Sequence, residues 1–580
     1  MAGGSTLAIG AAAIRRQELT GKKGVASLMQ NKRAFFIAIF ASFGGLLYGY
    51  QQGVLGQALV MPAFIHDFPT VHASASSTGW LTSILQLGGW IGALTSGILC
   101  EVFSRKHTLF WGAMWMILGS YLAAGAVVNE PAYLFAGRFF TGIGVGTLSA
   151  IGPLYNAELA PPEVRGFLVA LQQLTTTIGI LLAYWIAYGT SHMSGPYDGQ
   201  SRWAWRIPLI VQGVPAVILA IGVWFLPFSP RLLLNKGKDE EALATLAKLR
   251  SLPENHELVQ IEYLEIKSEV LFERQNFAKQ FPDVKIDSIF RREVAQYITI
   301  FRNRDSFKRV ALGCLVMFFQ QWSGIDSIIY YAPIIFQNLG LTSASSSLLA
   351  TGITGVINVA VTIPAIMVLD KFGRKTLGIS SSIGMFFCQM SVGIIVAARD
   401  QLPQPFLLRC KADDDHQTCG HNWPNHVAAG WVAVVFVWLY IVNFAYGWGP
   451  VSWTLIAEIF PLSIRAKGTS ISASSNWMNN FVIAFITPPM LKGINWGTYI
   501  FFSFWCLAGA FFLWFFIPET AGKTLEEMDA AFGSHSSQED MDVLCRIQQE
   551  IGLVDLLTSG RELTVADEKH GMGHKETSVV

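Results

Sequence analysis

The chain has 580 residues, 52% hydrophobic and 14% charged, where a soluble globular domain carries roughly a quarter charged residues. Its 41 Lys and Arg offset 40 Asp and Glu to a net +1, so there is no basic field to hold a phosphate backbone, and nucleic-acid binding is excluded as a function class. The composition is that of a membrane protein. Seven cysteines, none in a CxxC or Cys/His cluster, give neither a disulfide scaffold nor a metal site.

Residues 1–33 contain Arg15, Arg16, Lys22 and Lys23 without a long apolar block, so they read as a cytoplasmic N-terminal segment and not as a signal peptide. Stretches free of Asp, Glu, Lys and Arg then run 34–66, 68–100, 107–129, 139–157, 166–197 and 207–230. Each is long enough for a crossing of roughly 20 apolar residues. Segment 231–309 differs in kind, with 28 of its 79 residues charged, and its pieces DEEALATLAKLR and HELVQIEYLEIKSEVLFER have apolar residues at helical spacing, predicting short surface helices in a cytoplasmic linker. Charge-free stretches resume at 310–325, 327–369, 376–398, 416–457, 468–491 and 493–518. Dividing 327–369 at its polar waist, Gln337 to Ser347, and joining its first part to 310–325 gives six more spans.

The expected architecture is therefore an all-α membrane protein of twelve transmembrane helices, with halves at 34–230 and 310–518 and a cytoplasmic tail, 519–580, expected to be largely disordered. With both termini inside, 34 Lys and Arg fall on cytoplasmic segments, six on outer loops and one, Arg138, within a span. The positive-inside rule favours that frame over its inverse. Cys410 and Cys419 bracket the polar loop KADDDHQT and form a candidate disulfide if it faces an oxidising compartment.

The two halves repeat. Glu101, Arg105 and Lys106 follow the second span as Asp370, Arg374 and Lys375 follow the eighth. Glu158, Pro161 and Arg165 follow the fourth as Glu458, Pro461 and Arg465 follow the tenth. Parallel six-helix repeats mark carriers that hold a substrate at the midplane between rocking halves. The acids and bases Glu101, Arg105, Glu158, Arg165, Asp370, Arg374, Glu458 and Arg465 are read as a cytoplasmic gate, although pairs at membrane edges can also merely anchor loops.

The motifs GGLLYGYQQGV (44–54), GRFFTGIGVG (137–146), PLYNAELAPPEVRG (153–166), SPRLL (229–233), QQWSGIDSIIYY (320–331), LDKFGRK (369–375), AEIFPLSIRAKG (457–468) and PETAGKTLEE (518–527) stand in order along the chain. Together they resemble the sugar porter family of the major facilitator superfamily, over about 40–528. The resemblance implies the major facilitator fold and movement of a monosaccharide, a related polyol or a sugar acid across a membrane, in all expectation the plasma membrane, with no enzymatic activity and no cofactor beyond a proton as coupling ion.

A sugar's hydroxyls donate and accept, so its site needs uncharged amides and an aromatic face. Span seven offers Gln320, Ser323, Ser327 and Tyr331 on one stripe with Gln321 beside it, and Gly324 able to loosen the helix. Span eight offers Asn358, span eleven Asn476, Asn479 and Asn480, and span five Gln173 above Thr176 and Thr177. Such amides either face a cavity or tie helices together. The resemblance assigns substrate binding to Gln173, Gln320, Gln321, Asp326, Asn358, Trp453 as stacking face, and Asn476, with Asn480 as a further candidate.

The chain departs from the family pattern at Gln51, where proton-coupled members carry Asp opposite the arginine that is here Arg138. An amide cannot titrate, so facilitative transport is expected, with Arg138 hydrogen-bonded to Gln51 and to carbonyls. Asp326 stands where the family usually has Asn, and an acid inside a span is a functional hypothesis by default. Three readings stay open: a relocated proton site that makes the carrier a symporter, an anionic acceptor for substrate hydroxyls, or a neutral acid replacing the amide. As an anion it disfavours a sugar acid. Smaller departures are Glu101 and Ser104 for Asp and Gly, and Phe228 and Leu232 for Glu and Trp. A nontransporting sugar sensor on the same fold is the reading from another class. Which sugar is carried, and in what oligomeric state, the residues do not say.

Overall fold

Hydrocarbon offers backbone groups no water, so each crossing must close its own hydrogen bonds, and the charge-free stretches fold as helices. The structure is a computed structural model that describes residues 15, 19, 39–40, 42–159, 165–280, 297–298, 300–341, 343–401, 427–460, 464–520 and 536–557. Within them, spans one to five are Phe43–Ala58, Ala75–Val102, Arg105–Ala124, Ala132–Leu159 and Arg165–Ser191, and span six is Trp203–Val211 continued by Gly213–Gly222. Span seven is broken into Arg304–Trp322 and Ile325–Asn338. Spans eight and nine are Ala344–Phe372 and Arg374–Gln401, span ten is broken into Val427–Tyr446 and Trp448–Glu458, and spans eleven and twelve are Arg465–Gly493 and Trp496–Phe516.

The molecule is an all-helical multi-pass membrane protein of twelve spans in two halves. Seven of the described helical stretches are long and apolar enough to cross by length and composition alone. Others fall short for local reasons: the described helix of span one, Phe43–Ala58, has 16 residues, span seven is interrupted, and span eleven carries Asn476, Asn479 and Asn480. Among the described residues the one strand is Ser194–Tyr197, in the loop before span six.

Close helix crossings need missing side chains. Gly49 of span one lies so near the Thr176 carbonyl of span five that a Cβ would collide with it, and Gly142 of span four sits likewise on the Leu85 carbonyl of span two. The glycines of GGLLYGYQQGV and GRFFTGIGVG thus bring spans one and five, and two and four, into backbone contact.

The internal repeat recurs in side-chain geometry. Arg105 pairs with Glu158 at 3.0 Å, and Arg374 with Glu458 at 3.0 Å. Lys106 donates to the Trp224 carbonyl (2.8 Å) with its ammonium 5.8 Å from that indole, and Lys375 donates to the Trp514 carbonyl (2.7 Å) at 5.9 Å from the matching ring. Each lysine ties the start of the third span of its half to the end of the sixth.

The charged insert folds into helices Pro230–Asn235, Asp239–Arg250 and Glu257–Gln280. Asp239, Glu240 and Glu241 in the first turn and Lys248 and Arg250 in the last suit the dipole of the middle helix. The long helix is apolar on two faces. Val259, Ile266 and Val270 cover Leu233, Leu234, Ala242 and Leu246, while Ile261 and Phe272 face the tail. Within that tail, expected to be largely disordered, Ser536–Glu550 is helical, and Leu544, Ile547, Leu553 and Leu557 pack on Phe272 and Ile261. Their spacing gives the tail an apolar stripe, and the insert gives that stripe a surface to bury against. Arg231 bonds Glu269 (3.1 Å) and Glu273, and Arg274 donates to the Asn235 carbonyl (2.7 Å), tying the insert's long helix to its first.

Candidate substrate-binding site

Two backbone breaks build the site. Gly324 adopts φ 89°, a left-handed conformation that glycine reaches without a Cβ penalty, so span seven stops after Trp322 and restarts at Ile325. Asp326 thereby enters the first turn of the second helix, where unpaired N–H groups and the helix dipole favour a carboxylate. Span ten breaks at Gly447, and its second helix carries Trp453.

Between the halves lies a cavity of about 450 Å³ of free space, solvent at its mouth included. Gln173, Gln320, Gln321, Asp326, Asn358, Trp453 and Asn476 line it. Asn480 does not: it is fully buried outside the lining and accepts from the Tyr330 hydroxyl at 3.0 Å. Tyr48, Gln52 and Phe444 also line the cavity, beside Thr176 and Thr177. Gln52 had a signal in its position next to Gln51 in GYQQG. Tyr48 lies in GGLLYGYQQGV without being singled out, and Phe444 had no signal beyond lying in an apolar stretch.

The lining amides are partly engaged. Asn476 donates to Gln320 Oε1 (2.7 Å) while Gln320 Nε2 donates to the Trp448 carbonyl (3.3 Å). Gln52 Nε2 lies 3.0 Å from the Tyr48 hydroxyl and 3.4 Å from Asp326 Oδ1, bridging the halves. Tyr48 in turn meets Trp477 edge-on, with centroids 5.2 Å apart. Asp326 is 2% exposed, and the amides of Gln321 and Asn480 stand beside it. Gln321 Oε1 and Asp326 Oδ2 are buried acceptors without a hydrogen-bond partner. Such acceptors are costly unless a ligand or water donates to them.

Away from the insert, spans one, five and seven meet beside the cavity. The Tyr184 hydroxyl of span five donates to the Ile329 carbonyl of span seven (2.8 Å), and Gly56 of span one bears on the Tyr330 backbone.

Gln51 and Arg138 lie outside the lining. Arg138, 2% exposed, donates to Gln51 Oε1 (3.4 Å) and to the Thr82 carbonyl (3.5 Å).

At the insert face the described pairs Arg105–Glu158 and Arg374–Glu458 each join helix ends within one half. Arg105 holds Glu101 (2.6 Å) as well as Glu158. In the second half Glu519, which the motif PETAGKTLEE contains but no spacing singled out, accepts from the backbone N–H groups of Arg374 (2.9 Å) and Lys375 (3.1 Å), and Thr520 donates to Glu458 (2.6 Å). A Cβ on Gly373 would press on that carboxylate. In the first half Ser104 stands in the glycine's place and caps span three itself, accepting from His107 N–H at 3.1 Å, while Phe228 packs over Lys106, whose ammonium is 5.3 Å from the ring. The two departures from the family pattern thus answer each other. The side chains of Arg165, Asp370 and Arg465, and residues Cys410 and Cys419, lie outside the described residues.

A family model described as "Sugar (and other) transporter" matches residues 37–532. The chain is 34% identical over 505 residues to the MFS glucose transporter mfs1 of Aspergillus flavus, covering 86% of this chain and 90% of that one. It is 32% identical over 512 residues to a probable quinate permease of Aspergillus niger, covering 87% and 88%. Among solved structures it resembles the proton:xylose symporter XylE bound to 6-bromo-6-deoxy-D-glucose, with TM-score 0.65, 28% identity, and coverage of 86% of this chain and 99% of that one.

Proposed function

The chain belongs to the sugar transporter family, and from that premise we propose that it carries a neutral monosaccharide or polyol by facilitative alternating access, with the amide-lined cavity as its substrate site. Gln320, Gln321, Asn358, Asn476 and Gln173 exchange hydrogen bonds with hydroxyls, Trp453 covers the apolar ring face, and Asp326 accepts. In this reading the insert face and both termini are cytoplasmic, and the protein resides in the plasma membrane. Ties among spans one, five and seven then close the cavity toward the outside. The gate pairs brace the cytoplasmic helix ends of each half. No cofactor is proposed.

The observation that carries the facilitative assignment is Arg138 facing Gln51 at 3.4 Å. A carboxylate there could gain and lose a proton during the cycle; an amide cannot. The second reading, coupling through Asp326, is favoured by that acid's burial in the cavity wall. Uptake with and without a protonophore, in the wild type and in Asp326→Asn, separates them. Facilitative transport predicts equilibration of sugar, unchanged by protonophore in both. Accumulation above the outside level by the wild type, abolished by protonophore and absent in D326N, would establish symport through Asp326.

A further inference from the structure

We propose that the cavity selects cargo by charge, taking neutral and amino-substituted, cationic monosaccharides and refusing carboxylated ones, with Asp326 as the specificity-determining residue; this deepens, and rests on, the reading of the cavity as the transport site. Overall similarity does not decide the matter, because a glucose transporter and quinate permeases match the chain almost equally well, at 34% and 31–32% identity. The cavity wall does discriminate. Among the described residues its polar lining consists of amides, hydroxyls, the Trp453 indole and one carboxylate, with no Lys, Arg or His.

The buried guanidinium of this region, Arg138, donates to Gln51 and the Thr82 carbonyl and does not line the cavity. Asp326 accepts from Gln52 at 3.4 Å, has the amides of Gln321 and Asn480 beside it, and keeps Oδ2 without a partner although it is 2% exposed. The helix N-terminus at Ile325 supports the anion with partial charges only. Oδ2 is therefore open to a ligand donor. A hydroxyl satisfies Oδ2, and an ammonium satisfies it while also supplying the missing counter-charge through a charge-assisted bond. A second carboxylate in the same water-poor space meets repulsion that nothing in the lining offsets.

The test uses full-length protein in proteoliposomes, with labelled glucose uptake inhibited by glucosamine below the pKa of its amine, by uncharged N-acetylglucosamine, and by glucuronate and quinate. Glucosamine is expected to inhibit within about threefold of glucose and both acids to be at least about tenfold weaker. In Asp326→Asn the acids should gain on glucose, and glucosamine should lose, by about tenfold each.

Acids competing as well as glucose in the wild type, glucosamine no better than N-acetylglucosamine, or ratios unchanged in D326N would each overturn charge selection. The wild-type panel decides alone if D326N fails to reach the membrane. Absence of glucose uptake and of binding by every sugar in the panel would instead defeat the transport-site reading itself.

Discussion

Gln320 is fixed by its two neighbours: Asn476 donates to its oxygen at 2.7 Å and it donates to the Trp448 carbonyl. Asn476→Ala leaves that oxygen buried without its donor, at a cost of about 1–3 kcal/mol. The expected outcome is a several-fold higher KM for sugar with a lower melting temperature; a fall in melting temperature with KM unchanged would make the pair merely structural. Gln51→Leu removes the side-chain acceptor of a buried guanidinium and should also cost about 1–3 kcal/mol, read by thermal unfolding in detergent. At this scale the sequence was most legible where polarity interrupts an apolar stretch. Gln173, Gln320, Gln321, Asp326, Asn358 and Asn476 stand out because lipid would exclude them, and all six line one cavity. Asn480 stands out equally yet serves the packing around Tyr330, since polarity alone does not report which way a buried amide turns. Tyr48 and Phe444 were hidden by the converse: an aromatic in an apolar helix carries no mark of facing a cavity.

Helix ends depend on atoms far along the chain. Gly373 has φ 82° and lies against the Glu519 carboxylate that caps span nine. Gly373→Ala should cost about 1–3 kcal/mol through left-handed strain and the displaced cap, whereas Ser104→Ala removes only a local cap worth about 1 kcal/mol. Thermal unfolding of the two variants compares them, and equal losses would refute the asymmetry. The tail helix offers a second test. Leu544→Asp places a charge against Phe272 and should release Ser536–Glu550, seen as lost hydrogen-exchange protection there with the spans unaffected; retained protection would show that the contact does not hold the helix. Gly324 announced its break in the sequence, by a glycine amid span seven. The break at Gly447 and the tail helix went unread, because the first lies in a long apolar run and the second is stable only on the insert's apolar face.

As a whole, the molecule repeats a six-helix unit whose duplication is visible in paired acids and bases and, more finely, in Lys106 on Trp224 and Lys375 on Trp514. Charge-free length and the repeat made the twelve-span frame legible. The meeting of spans one, five and seven away from the insert was not, because it rests on carbonyls: Tyr184 on Ile329 and Gly56 on Tyr330. The described pairs Arg105–Glu158 and Arg374–Glu458 each lie within one half and brace it as a body, as the rocking of alternating access requires. The most direct measurement is labelled glucose or xylose entry into proteoliposomes holding the purified chain. Saturable flux that runs to equal concentration and is blocked by excess unlabelled sugar is the predicted result; saturable binding with no flux would contradict it and make the protein a sensor.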